Sequence, residues 1–362
     1  MNRNEFYLIR GKNYEEMTRQ LLERIDLAGM IGDREKKIGI KPNLVSDTPA
    51  REGATTHPEI VAGLIAYLKE KGFQNLLVLE GSWVGSSTRN VMRVNGLDKV
   101  LQKYDVPFCD LQKDRTVFVD TKGMQIEACV TALTPAFLIS LPVLKGHMQT
   151  RVTCALKNMK GLISNDEKRR FHRMGLHKPI AALNTIFHPD LILVDHICGD
   201  PDCEDGGNPE VHDTIFACKD PVLCDAFACR ELGYDVSEVP YIGLSESYGL
   251  GSTDLSKAEF HWLNEGETAD GSRTHRAEAL RAYIHEESAC SACYGMLMEA
   301  LMELDREGLA ERLPGQICIG QGFCGKTGEI GFGRCTKGFS NSLPGCPPTK
   351  EAAVRFLREL TE

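Results

Sequence analysis

Six of the fourteen cysteines in this 362-residue chain fall between residues 290 and 346, and only there do their spacings resemble a site. Cys290-Ser-Ala-Cys293 opens an amphipathic stretch. Both thiolates can face one metal there, and a helix N-terminus favours their negative charge. Cys346 stands in Pro344-Gly345-Cys346-Pro347-Pro348. Proline after a ligand cysteine keeps the chain from curling over the bound group and removes an amide that would need a partner. A full shell needs a fourth thiolate. Cys335, in Gly333-Arg334-Cys335 behind a strand-like run, is preferred; Cys324, in Gly322-Phe323-Cys324-Gly325, is the challenger, and Cys318, inside a strand, comes third. Four thiolates can hold a [4Fe-4S] cluster or a structural zinc ion. Irregular spacing and the proline-flanked ligand favour the cubane, with zinc or buried free thiols as the alternative.

A second set of chemistry-bearing residues lies earlier. Lys145, His147, Arg151, Lys157 and Lys160 fall within sixteen residues, just beyond an apolar strand-like run. In open α/β sheets ligands bind past strand carboxyl ends, and cations there suit a carboxylate or a phosphate. Lys41 and Asn43 follow another such run, as do Glu80 and Ser82, so the three loops can converge on one edge. Lys41, Lys145 and His147 are the acid–base candidates. Asn43, Glu80, Arg151, Lys157 and Lys160 are the expected contacts of a small anionic ligand, while His57 near a helix N-terminus reads as help for the turn. A solvated helix face is the plainer reading of any single lysine. Asp195, His196, Cys198, Asp200, Cys203 and Asp205 are metal-capable, but their spacing matches no recognised motif. Cys218, Cys224 and Cys229 sit on apolar runs and read as core.

Around these residues the chain alternates short apolar runs with amphipathic segments, the pattern of a wound α/β domain with a mixed or mostly parallel sheet. Strands are expected at Glu5–Ile9, Lys37–Ile40, Asn75–Leu79, Ala136–Leu141, Leu191–Val194 and Asp213–Ala217. Helices are expected at Tyr14–Ala28, Ile60–Lys71 and Pro221–Leu232, the second with Thr56 as cap, Pro58 in its first turn and Glu59 completing a capping box. The loop His196–Pro209 reads as too polar for the core. Residues 1–285 form this expected domain; residues 286–362 form a small α/β cysteine-rich domain, with a helix over 287–306, strands at Gln316–Ile319 and Glu329–Phe332, and a closing helix.

The formal net charge of -9 has the wrong sign for a nucleic-acid partner. No apolar run reaches membrane-spanning length and no signal-peptide core opens the chain, so a cytoplasmic protein is expected. Fourteen cysteines in a reducing compartment point to metal ligands and buried thiols rather than disulfides, in a reducing or anaerobic setting. The GxGxxG letters at 320–325 precede no convincing helix and lie outside any βαβ unit, so no nicotinamide or other nucleotide fingerprint is supported.

CxxC, a later Gly-x-Cys and PGCPP together resemble the proximal-cluster domain of nickel–iron hydrogenase small subunits, in motif only. KPNLV, TTHPEIVAGLIAYLKEKG, LPVLKGHMQTRVTCALKNMKG, LILVD and KDPVLCDAFACRELG resemble the domain-of-unknown-function 362 family over residues ~36–235. That resemblance implies recurrent polar positions at Lys41, Asn43, His57, Lys145, His147, Lys157, Asn158, Lys160 and Asp225. Many members carry a ferredoxin-like cluster domain, from which the module here departs. The leading expectation is an iron–sulfur protein that transfers electrons to or from an anionic ligand or a redox partner protein. A non-redox isomerase or lyase with a structural cluster, and a zinc-stabilised binding module, are the alternatives.

Overall fold

A computed structural model describes residues 1–265 and 276–362. They divide into two compact units, one of residues 1–147, 151–168 and 177–265, the other of residues 148–150, 169–176 and 276–362. Twelve strands belong to the first unit: β1 Glu5–Arg10, β2 Ile38–Pro42, β3 Leu76–Glu80, β4 Phe108–Asp110, β5 Thr116–Thr121, β6 Met124–Cys129, β7 Phe137–Leu141, β8 Lys145–His147, β9 Arg151–Thr153, β10 Leu191–Gly199, β11 Glu210–Cys218 and β12 Glu259–Trp262. Eight form one sheet in the order β12-β1-β11-β10-β7-β2-β3-β4. The run β10-β7-β2-β3-β4 is parallel, β11 is antiparallel to both neighbours, and β12 pairs parallel with β1. The first unit is thus a mixed α/β fold with a largely parallel central sheet and flanking helices.

The parallel strands β2, β7 and β10 are buried along their whole length, as expected of a sheet covered on both faces. Ile40, Val78, Ile139 and Leu193 share one hydrophobic cluster with Leu21 of the helix Tyr14–Arg24 and Leu64 of the helix Pro58–Glu70. Those two helices approach closely at Gly63, where a β-carbon would stand 2.5 Å from the Glu15 carbonyl oxygen and 2.8 Å from Thr18 Cβ.

Three expectations need correction. The first helix stops at Arg24, because Asp26 turns left-handed (φ 51°) and opens a separate short helix at Leu27–Ile31. The second helix is capped at His57 rather than Thr56, and no capping box forms. The Thr56 hydroxyl instead accepts from Asn43 N (2.7 Å) and donates to the Leu141 carbonyl (2.8 Å), tying β2 to β7. Strand β10 runs on to Gly199, and His196, Cys198 and Asp200 of the supposedly exposed loop are buried.

The second unit contains four short parallel strands in sequential order, β13 Ile284–Glu286, β14 Ile317–Ile319, β15 Ile330–Phe332 and β16 Asn341–Leu343. The helix Ser291–Arg306 crosses from β13 to β14, and the terminal helix Lys350–Thr361 packs against it.

Gly63→Ala should lower the urea midpoint of the first unit. The gain in helix propensity is only about 1 kcal/mol, whereas the crowding against Glu15 and Thr18 costs about 1–3 kcal/mol.

Candidate functional site

The carboxyl ends of β2 and β3 carry a buried ion pair. Lys41 and Glu80 are both almost fully buried, with Lys41 Nζ 2.5 Å from Glu80 Oε2. The ammonium also donates to the Pro42 carbonyl (2.9 Å) and to Asn158 Oδ1 (3.0 Å). Asn158 in turn donates to the Lys41 carbonyl (3.3 Å) and to Ser140 Oγ (3.0 Å), so one amide fastens β2 to β7. Burial lowers the Lys41 pKa and Glu80 opposes that shift. Gly161 borders the pair so tightly that a β-carbon there would lie 1.8 Å from Glu80 Oε1.

Beyond β7 the expected cations turn inward. Lys145 Nζ donates to the carbonyls of Ala54 and Glu204, and His147 Nε2 lies 3.1 Å from Glu204 Oε1. Lys157 Nζ reaches Thr153 Oγ1 at 3.2 Å. Burial pushes Lys145 down to about 8, against the pull of Asp205 and Glu204. Burial, with Lys160 close by, holds Lys157 well below the ordinary range. Half-buried Lys160 falls to about 7 through desolvation and the charge of Lys168. Arg151 is bound instead to Glu238, through its carbonyl at 3.0 Å. Asn43 Oδ1 and Ser82 Oγ are buried without a hydrogen-bond partner among the described residues.

Lys168 was not expected. It lies in the helix Asn165–Met174, whose sequence NDEKRRFHRM reads as solvated, yet its ammonium is buried and donates to the carbonyls of Gly81 (2.8 Å) and Ser82 (2.9 Å). Desolvation moves it down to about 8, opposed by Glu80. The one available signal was Phe171, three residues on and fully buried, which marks that side of the helix as inward.

His57 stands apart from the lysines. Its Nδ1 is 2.8 Å from Asp195 Oδ2, and its Nε2 is 3.9 Å from Cys198 Sγ. Asp225 takes the amides of Ala155 (2.7 Å) and Leu156 (3.3 Å), and burial raises its pKa to about 7. Its carboxylate and the thiols of Cys154 and Cys224 lie within 4.8 Å of one another, a donor set compatible with metal binding. Cys218, Cys224 and Cys229 are all buried.

In the second unit the cysteines follow the strands one by one. Cys290 and Cys293 come after β13, Cys324 after β14, Cys335 after β15 and Cys346 after β16. Burial raises Cys293 to about 12, with Cys290, Cys346 and Cys335 each adding to the shift. Burial raises Cys335 to about 11, with contributions from Cys324, Cys290 and Cys346. Five thiols therefore feel one another. Cys318 is turned instead toward His285 Nδ1, at 3.8 Å. Gly333 adopts φ 89°, which L residues disfavour, and a β-carbon on it would stand 3.5 Å from Cys293 Sγ. At that distance a β-carbon would make ordinary contact with this one sulfur, so it is the backbone conformation that calls for glycine.

The first unit is a wound α/β protein with a buried cationic site at the carboxyl edge of its sheet. The chain belongs to the family described as Domain of unknown function (DUF362), whose model matches residues 38–230. It is 26% identical over 261 residues to the thylakoid-associated protein sll1697 of Synechocystis sp., covering 68% of this chain and 80% of that one. Among solved structures, the lactate racemase apoprotein from Thermoanaerobacterium thermosaccharolyticum shares 14% identity at a TM-score of 0.42, over 64% of this chain and 57% of that one. A Thermotoga maritima protein shares 16% identity at a TM-score of 0.36, over 51% of each chain. The chain thus spans little more than half the length of these solved chains, and likeness at that level does not extend to the activity named. Among the described residues no helix is long and apolar enough to cross a membrane.

Two predictions follow from the charges. Glu80→Gln leaves the Lys41 ammonium buried without its counter-ion and should cost about 3 kcal/mol in urea unfolding. The pair Lys41→Met with Glu80→Leu should cost less than the sum of its single changes. The unfolded chain binds more protons at Lys145 and Lys160 than the folded chain does, from about pH 7 up to the ordinary lysine range. These groups therefore make stability rise with pH across that window. A bound anion relieves their repulsion while they are charged, so millimolar phosphate should raise the melting temperature more near pH 7 than near pH 10.

Proposed function

We propose that the chain is an iron–sulfur protein. The second unit would bind one [4Fe-4S] cluster through Cys290, Cys293, Cys335 and Cys346, and the first would bind a small anionic ligand at its buried lysines. The observation that carries this reading is that Cys290, Cys293, Cys335 and Cys346, which follow three strands of one parallel sheet, act on one another electrostatically. The donor set fits the group. It is all thiol, and among the described residues no three of these thiols lie within 4.8 Å of one another. A single zinc ion draws its sulfurs to about 3.8 Å apart, since each Zn–S bond is about 2.3 Å. A cubane sets iron and sulfide between its ligands and suits the wider spacing. When bound, the cluster would supply one-electron chemistry. The chain's own part is to hold four thiolates, exclude a fifth, and present Lys145, Lys157, Lys160 and Lys168 to a carboxylate or phosphate. The electrons would pass to or from that ligand or a redox partner protein, in a cytoplasmic and reducing setting.

A second reading, a non-redox isomerase or lyase with a structural cluster, is favoured by one observation. Lys145 and Lys160 are held near neutrality, where a lysine can exchange a proton.

Anaerobic reconstitution with iron and sulfide tests the leading reading. Broad visible absorption, about four irons per chain and an EPR signal on reduction are expected. Cys335→Ser should abolish that absorption and Cys324→Ser should leave it. Zinc bound stoichiometrically, with no uptake of iron or sulfide, would sink the proposal.

A further inference from the structure

Asp195, His57 and Cys198 make a hydrogen-bonding line that neither the lysine site nor the cysteine-bearing unit uses. Asp195 is fully buried. Its Oδ2 accepts from His57 N (2.7 Å) and meets His57 Nδ1 (2.8 Å), while its Oδ1 accepts from Ile197 N (3.1 Å). Both carboxylate oxygens are fixed, and they fix the ring. The free edge of that ring, Nε2, lies 3.9 Å from Cys198 Sγ. As a neutral thiol, Cys198 donates to the carbonyls of Ala50 (3.5 Å) and Arg51 (3.6 Å), contacts that are given up when its proton leaves.

The strand itself is shaped for this meeting. Asp195 and Cys198 are three residues apart on β10, and in a regular strand an odd separation points two side chains to opposite faces. The pairing of β10 with β11 shifts register between His196 and Cys198. Such a bulge re-aims the residues beyond it, and here it lets one histidine touch both side chains. Burial alone would keep His57 neutral, yet the charge of Asp195, aided by Cys198, raises its pKa to about 10.

We propose that Cys198 is a nucleophile for an acyl donor, with its proton held on His57 Nε2 and with Asp195 as the positioning residue. The thiolate adds to the carbonyl carbon, so a C–S bond forms and the bond to the leaving group breaks. His57 returns its proton to that group, leaving a thioester on Cys198. The 3.9 Å contact is of the loose kind that tightens when a substrate is bound. The bland rival is that Asp195 merely ties β10 to the helix Pro58–Glu70. A tie would leave Cys198 as inert as the buried thiol of Cys224. The proposal is independent of the cluster reading, because iron content does not enter its test.

The test uses the full chain purified without oxygen. Iodoacetamide labelling is followed at each cysteine by mass spectrometry from about pH 5 to pH 10. Cys198 should react at a rate nearly flat from about pH 6 upward, at least ~100-fold faster than Cys224 near pH 6. Asp195→Asn should cut that low-pH rate at least ~10-fold while sparing the rate near pH 10. The ultraviolet thiolate band lost in Cys198→Ser near pH 6 gives a readout that needs no reagent access. With p-nitrophenyl acetate, one equivalent of nitrophenol should appear in a burst that Cys198→Ser lacks. A Cys198 that is protonated near pH 6, or one indifferent to Asp195→Asn, overturns the thiolate assignment. No burst from a reactive Cys198 overturns the acyl assignment.

Discussion

A parallel strand can be followed by its neighbour only through a crossover, so the loops leaving the carboxyl ends of adjacent strands are where side chains from distant sequence meet. Both units are organised by that constraint. In the first, β2, β3 and β7 deliver Lys41, Glu80 and the Lys145 segment to one edge of the sheet. In the second, β13 to β16 are each followed by a cysteine three to five residues beyond the last strand residue. Neither set is close in sequence. The hydrogen-bond ladder, not local spacing, determines which residues share a site.

Charge is costly at such an edge when both faces of the sheet are covered, and the structure offsets the cost unevenly. Lys41 has a carboxylate, a carbonyl and an amide oxygen, which amounts to a closed shell. Lys145 and Lys168 receive mainly backbone carbonyls, which neutralise nothing. Lys157 and Lys160 lie near enough to repel each other. The acidic groups that pull against them, Glu204 and Asp205, come from the strand β10 side. A buried group of ammoniums depressed toward neutrality is a poor structural device, because desolvation and mutual repulsion both work against its charged state.

Much of the edge was legible in the sequence because strand ends are marked by composition. Apolar runs that stop at Lys41-Pro42, Glu80-Gly81 and Pro142 announce where backbone burial ceases, and the polar residue that follows is at the sheet's rim. Lys168 was missed, since in NDEKRRFHRM a single apolar residue, Phe171, is the only mark of which way the helix face turns. Thr56 was misread for a related reason. A hydroxyl before a helix suits a cap locally, but a strand-to-strand tie with Asn43 and Leu141 took precedence. The dense polar run from His196 to Pro209 looked like solvent-exposed loop, although β10 carries its first residues into the interior. Hydropathy cannot reveal a polar residue whose partner lies more than a hundred residues away, as His57 does from Asp195.

The cysteines show how little residue type decides and how much neighbours do. Cys154 and Cys224 stand 3.8 Å apart beside Asp225, close enough for one ion, yet that carboxylate is already committed to two backbone amides and the thiols are deeply desolvated. The thiols past β13 to β16 are more open, and no three of them lie within 4.8 Å of one another among the described residues. Desolvation and mutual repulsion raise the pKa of Cys293 and Cys335, so as a bare set they resist becoming thiolates together. A cationic centre removes that resistance by turning like-charge repulsion into shared attraction. The same resistance holds for Cys154 and Cys224, whose thiols are raised still further, so what separates the two sets is exposure and the prior commitment of Asp225 to backbone amides.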